Sequence, residues 1–143
     1  MIGADLKGFD LLAELGEDDR EALVEVLEER KVSASVPLFR EGSEAEGLVL
    51  IAKGEVEVRS SRTDSTFRAG PGRCLGALSL LVIGKRETSA VAIEPVTYWL
   101  LPRTSYRRLV DDAPRTACRL TEAIAIEAAS SMRDGLDALS ENP

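Results

Sequence analysis

The sequence predicts an α+β chain that is mainly β: short antiparallel strands forming a barrel or sandwich, with helices before and after. Three observations lead there. Between residues 31 and 102, brief apolar runs, some strictly alternating with polar residues, are interrupted at regular intervals by turns rich in Gly and Pro. On either side of that region the apolar spacing changes to three and four, the period of a helix. The chain has 143 residues, 44% hydrophobic and 30% charged, which suits one domain with a packed core. Aromatics make up only 4%, so Val, Leu, Ile and Ala must build that core.

Leu11, Leu12 and Leu15 predict a short helical turn near the start. "DDREALVEVLEER", Asp18 to Arg30, predicts a helix with Leu23, Val26 and Leu27 on its apolar face and Glu17 or Asp18 as its cap. Residues 1–30 are therefore expected to be helical. The strands expected over 31–102 are "KVSAS", "PLF", "GLVLIAKG", "EVEVRSS", "STFRAG", "SAVAIE" and "VTYWLLP", separated by Gly42, Gly47, Gly54, "RTD" and Gly70-Pro71-Gly72. Helices return over 103–140. "RTSYRRLVDD" ends at Pro114, which can open the next helix in its first turn. That last helix carries Ala117, Leu120, Ile124, Ala128, Met132, Leu136 and Leu139 at spacings of three and four, and its small residues Ala125, Ala128 and Ala129 would let a second helix approach closely.

Composition narrows the function. The net charge is −7, and residues 1–30, with ten acids and three bases, account for all of it. Nucleic-acid binding draws on Lys and Arg neutralising phosphates, so no nucleic-acid partner is expected. Arg103, Arg107, Arg108, Arg115 and Arg119 lean the other way, and solvated helix faces are the ordinary reading of both regions. There is no histidine, which removes histidine bases, haem ligation through histidine and His-ligated metals. Cys74 and Cys118 are too few for a zinc or iron–sulfur site, and Cys74 reads as a small core residue. No nucleophile motif is present, so neither an enzyme nor a metal or other cofactor is expected. "MIGADLKGFDLL" is not a signal peptide and no apolar run approaches the roughly 20 residues of a membrane span, so the expectation is a cytoplasmic protein with reduced thiols.

Several stretches resemble one family. "PLFREGSEAEGLVLIAKGEVEV" places Gly42 and Gly54 at two characteristic glycine turns. "AGPGRCLGALSLL" is similar to "GPGD-x-x-GELALL", and "GKRETSAVAIEPVTYWLLPR" to "PRSATVRALEDTELLVLPR", with no gap from Gly70 to Arg103. The family is that of cyclic-nucleotide-binding domains, of the catabolite-activator and protein-kinase-A-regulatory-subunit type. It implies an antiparallel β-roll or jelly-roll barrel between an N-terminal helix and a long C-terminal helix, as a single domain over 1–143.

The resemblance also implies a site. In the family, backbone N–H groups after a glycine, at the start of a short helix, point at the cyclic phosphate. An arginine pairs with its oxygens, and a glutamate accepts from the ribose 2′-OH. Here Gly76 matches the glycine and Arg86 the arginine, while Ala77 stands where the glutamate would be. The candidate cassette is thus Gly76, Ala77, Leu78, Arg86, Glu87 and Thr88, with Ser131 on the long helix as a base contact. A hydrogen bond to a charged acceptor contributes roughly 1.5–3 kcal/mol, so losing the glutamate costs about one or two powers of ten in affinity. Glu87, where the family has a small residue, adds a negative charge beside the phosphate and a partner that could occupy Arg86. Gly76 and Arg86 also admit plainer readings, as a tight turn and as a surface ion-pair residue.

The expectation is a stand-alone regulatory module whose ligand site has drifted, with any cyclic nucleotide bound weakly. It would act through protein–protein contact, as a homodimer or with a partner protein, through the C-terminal helix. The alternatives are a working cyclic-nucleotide sensor and, further behind, a transcription-regulator fragment or an enzyme. In the catabolite-activator type the DNA-reading helix follows the long helix, and this sequence stops at "SENP". Arg86 is expected either to engage a protein carboxylate or to face solvent.

Overall fold

A computed structural model describes residues 3–141, with side chains over 5–137. Eight strands form two four-stranded antiparallel sheets. The strands are β1 (Glu28–Val32), β2 (Pro37–Phe39), β3 (Gly47–Lys53), β4 (Val56–Ser60), β5 (Ser65–Ala69), β6 (Cys74–Leu75), β7 (Ser89–Ala92) and β8 (Val96–Pro102). One sheet has the order β1-β8-β3-β6 and the other β2-β7-β4-β5. Helices α1 (Glu17–Val24), α2 (Arg103–Asp112) and α3 (Pro114–Glu141) flank them, and short 3-10 turns cover Gly3–Gly8, Asp10–Leu12 and Ala77–Leu80. This is the β-roll with flanking helices that the sequence predicts.

Two apolar layers hold it together. Between the sheets, Val49, Ile51, Val56, Val58, Ala90, Ala92, Val96, Tyr98 and Leu100 pack as one buried cluster. On the other side of β3 and β8, Leu48, Leu50 and Leu101 join Leu12, Leu23, Leu109, Leu120 and Ile124. Both faces of β3 are covered, which is why "GLVLI" is a continuous apolar run and not an alternating one. On the opposite sheet, β4 keeps the alternation, with Val56 and Val58 buried and Arg59 exposed.

The helix predicted over 18–30 is shorter than its periodicity. α1 ends at Val24, and Glu28 already pairs with Leu100 in the sheet. The expected boundary at residue 30 therefore moves back to 28, and the strand predicted as "KVSAS" becomes Glu28–Val32. Edge pairing along β8 gives Glu28–Arg30 a full backbone ladder, and this outweighs their helical propensity. The cap differs too. Gly16 is the N-cap, and its N–H donates to Asp19 Oδ2 at 3.1 Å. The two-residue β6, paired with β3 at Val49↔Leu75 and Leu50↔Cys74, had no signal of its own.

α3 runs for 28 residues, about 42 Å. Ala117, Leu120 and Ile124 are buried against the sheet and α2, as the spacing predicts. The same stripe continues through Met132 and Leu136, which are 69% and 64% exposed because the helix outruns the body it packs on. Leu139 lies outside the described side chains.

Asp19, only 2% exposed, anchors α1 to α3. It accepts from Thr116 Oγ1 at 2.6 Å and from Arg119 Nη1 at 2.7 Å. Burial alone would raise its pKa; the bonds from Thr116, Arg119 and Gly16, with the Arg119 charge, outweigh that and hold it below its ordinary 3.8. A lowered pKa stabilises the fold above the unfolded value and is lost as pH falls through the folded one. Asp19→Asn should therefore lower stability at neutral pH by about 1.5–3 kcal/mol. It should also shrink the loss of stability below pH 3.8, the ordinary value from which Asp19 is shifted. Denaturant titrations of both proteins at neutral pH and below pH 3.8 check both effects.

Candidate anion-binding site

The chain reaches the site through backbone pairing between two loops. The loop before β3 and the loop before β7 exchange bonds: Gly42 N–H donates to Arg86 O at 2.8 Å, Arg86 N–H to Ser43 O at 2.8 Å and Ala45 N–H to Gly84 O at 3.1 Å. These fix the Cα of Arg86. Its side chain then runs inward and is only 7% exposed. Nη2 donates to Gly47 O at 2.8 Å, and Cζ lies 4.2 Å from the centre of the Phe39 ring. Nε finds no acceptor among the described residues.

Gly76 makes this possible. It adopts φ +73°, ψ 31°, the left-handed region that L side chains disfavour, and opens the 3-10 turn Ala77–Leu80. A Cβ there would fall 2.0 Å from Arg86 Nη1. The arginine therefore lies directly against the glycine backbone, and the two residues separated by ten positions form one unit. Within the turn, Ser79 N–H and Oγ both donate to Gly76 O, at 3.1 and 2.5 Å.

The expected carboxylate partner is absent. Arg86 has no ion pair among the described residues, and Glu87 is exposed. Nor does Arg86 face solvent. Glu87, the next residue, is exposed where Arg86 is buried, so the two neighbours lie in different environments. Burial pulls the Arg86 pKa down from its ordinary value, while the negative charge of Glu46 opposes that shift.

The other candidates fall around this pair unevenly. Ala77 is half-buried and packs its methyl on the helix-side core; Leu78 is 53% exposed and Thr88 half-buried. Ser131 is exposed on α3, two helical turns past Ile124, the last buried residue of that helix. A cleft of about 310 Å³ reaches Arg86, with Phe39, Glu44, Glu46, Tyr98 and Leu100 among its walls. None of Gly76, Ala77, Leu78, Glu87 or Thr88 lines it. Cys74 is half-buried, and burial together with the Glu127 charge pushes its thiol up to about 12, which leaves it unreactive at neutral pH. No group of three or more acids and cysteines is placed to hold a metal among the described residues.

Sequence reasoning missed Arg103. Its Nε donates to Ser79 O at 2.9 Å and its Nη2 to Val82 O at 3.3 Å, both on the loop that follows Gly76. The only signal was its place directly after "LLP", at the strand-to-helix junction.

Comparison with known proteins agrees with this geometry. The sequence model of the family "Cyclic nucleotide-binding domain" matches residues 29–113. A cAMP-dependent protein kinase regulatory subunit from Eremothecium gossypii is 32% identical over 101 residues, covering 70% of this chain and 22% of that protein. The cyclic AMP receptor protein of Thermus thermophilus is 29% identical over 124 residues, covering 84% of this chain and 57% of that protein. The chain thus spans less than two thirds of either relative. Among solved structures, the catabolite activator protein of Thermus thermophilus superposes with a TM-score of 0.74 at 28% identity, covering 91% of this chain and 62% of that one. The N-terminal domain of a transcriptional regulator from Streptomyces coelicolor A3(2) superposes at 0.78, with 24% identity over 89% of this chain and 94% of that one. With a family match over more than half of its length, a double antiparallel sheet and an arginine buried against a left-handed glycine, this chain belongs to the cyclic nucleotide-binding domain family.

Proposed function

We propose that this chain is a regulatory binding module in which the anion cassette is kept but the grip on a cyclic nucleotide is weakened. One observation carries the reading: Arg86 is held by the protein's own groups, Gly47 O and the Phe39 ring, while position 77 offers a methyl and no acceptor. An incoming phosphate would have to draw Arg86 from those contacts without help from a carboxylate on the ribose. The unpartnered Nε favours a second reading, in which a nucleotide still binds and Ala77 is tolerated. The relatives named regulatory subunit and receptor protein support regulation over catalysis.

Calorimetric titration with cyclic AMP and cyclic GMP separates the two. The parent should bind weakly or not at all. Ala77→Glu restores a ribose acceptor and Glu87→Ser removes a nearby negative charge; each should improve affinity by roughly 1–3 kcal/mol, and the two should couple because they act on one ligand. Adding Arg86→Ala should abolish the gain. A parent that binds at ~1 µM supports the sensor reading instead. A double mutant that stays silent shows that packing, and not these two residues, closes the pocket.

The output surface we assign to α3. Ala125, Ala129, Met132 and Leu136 repeat at four, three and four, the seam of a coiled coil, and all four are exposed. The seam lies beside the core-facing row of Ala117, Leu120 and Ile124, so both can be used at once. A second copy of the chain is the occupant we favour, because small residues at one end and large ones at the other suit a self-complementary pair. Sedimentation at ~100 µM should give a dimer, and Met132→Glu with Leu136→Glu should give a folded monomer. A monomeric parent counts against self-association.

A further inference from the structure

We propose that the cleft at Arg86 takes a small zwitterion, with its carboxylate on the Arg86 guanidinium and its ammonium at an acidic mouth formed by Glu44 and Glu46. The proposal rests on the reading of a pocket that keeps an anion-binding arginine and grips a cyclic nucleotide weakly, and it names the ligand class such a pocket suits. The cleft holds about 310 Å³, at the lower end of small-molecule sites. Arg86, which lines it, is buried, and its Nε lacks an acceptor among the described residues. Leu38, Val49, Leu100 and the Phe39 ring give the lining an apolar stretch. Glu44 and Glu46 line the same cleft and are exposed, so they belong to its mouth. Backbone pairing holds Glu44 close to Arg86: Glu44 bridges Lys85, and the Arg86 N–H donates to Ser43 O.

The charges decide the ligand class. Arg30, the other cation in the lining, is already matched: Nη1 meets Glu46 Oε2 at 3.2 Å and Nη2 meets Glu28 Oε2 at 3.3 Å. One cation between two carboxylates leaves a negative charge over. Glu44 has no ion pair among the described residues and adds another. Lys85, opposite Glu44 in the backbone bridge, has none either and does not line the cleft. Burial lowers the Arg86 pKa and the charge of Glu46 opposes that shift, so Glu46 is felt at the guanidinium. A purely anionic ligand that reaches Arg86 therefore brings its charge towards uncancelled carboxylates, and like charges repel. A ligand that carries its own ammonium turns that repulsion into attraction at the mouth. A guanidinium at the buried end suits a carboxylate, which it can bond with two donors at once. Buried cation, apolar wall and acidic mouth together call for a carboxylate and an ammonium joined by a short hydrocarbon spine.

Amide-resolved NMR titration of the full chain at low ionic strength tests this. The probes are β-alanine, γ-aminobutyrate, δ-aminovalerate and ε-aminocaproate, each paired with the acid of the same length that lacks the amine: propionate, butyrate, valerate and hexanoate. One spine length should bind best. It should bind about fivefold or more tightly than its paired acid, a preference that shrinks as added salt screens the exposed mouth. Glu44→Gln/Glu46→Gln should bring the pair to equal affinity, by weakening the amino acid and strengthening the plain acid. Arg86→Met should lose both. Equal binding of the pair by the parent, a preference that survives the double variant, or binding retained in Arg86→Met overturns the proposal. So does a parent whose amides do not respond to any of the amino acids at ~10 mM. If Arg86→Met does not fold, Arg86→Lys takes its place and should weaken both members of the pair about tenfold, since an ammonium cannot make the two parallel bonds; unchanged affinity there overturns the proposal. Cyclic AMP is titrated separately. Binding at ~1 µM overturns the weakened-grip reading, whereas loss of the amino-acid preference overturns the zwitterion alone.

Discussion

The site depends on burying one guanidinium. Taking a charged group out of water costs several kcal/mol unless its donors and its charge are matched. Arg86 is matched unusually: one carbonyl at 2.8 Å, one aromatic face at 4.2 Å, and the distant charge of Glu46. The close approach requires no side chain at Gly76, where a Cβ would overlap Nη1. Gly47 is constrained as well, since a Cβ there would meet Leu101 O at 2.0 Å. Gly76 thus leaves the space into which the arginine folds, and Gly47, pressed against β8, supplies the carbonyl it bonds. The unmatched Nε is the remaining cost, and a site that leaves a buried donor short of an acceptor favours an anionic or carbonyl oxygen over an apolar ligand.

The sheets and the helices are joined more by one buried network and one shared apolar layer than by chain connections. Asp19 reaches Thr116 and Arg119 across 97 and 100 residues of sequence. Leu48, Leu50 and Leu101 supply the sheet side of the layer, and Leu23, Leu109 and Leu120 the helix side. Because β3 is covered on both faces, a displacement of the helices is felt in the strand that supplies Gly47 and its carbonyl. The turn at Ala77–Leu80 enters the same layer through Leu80, so the turn that begins at Gly76 and the helices share a packed boundary. The exposed end of α3 is the part of that helix that the body does not cover.

Much of this was legible in the sequence. Short alternating runs between glycine turns gave seven of the eight strands, and the three-and-four spacing gave α2 and α3, because period and turn chemistry are local properties. The two glycine turns and the Gly76-to-Arg86 spacing marked the candidate cassette for the same reason: left-handed backbone favours glycine wherever it occurs. Ala77 and Glu87 were visible as departures in chemistry before any geometry was known. What the sequence could not decide was which of two compatible local states would win and what a long side chain would touch. Residues 28–30 have helical propensity but pair with β8, a partner some 70 residues away. Met132 and Leu136 have core character but lie beyond the body that could bury them. Glu87 adjoins Arg86 in sequence, yet Arg86 is buried and Glu87 exposed. Arg86 choosing Gly47 and Phe39, and Arg103 choosing Ser79 and Val82, are contacts between loops that only the closed β-roll brings together.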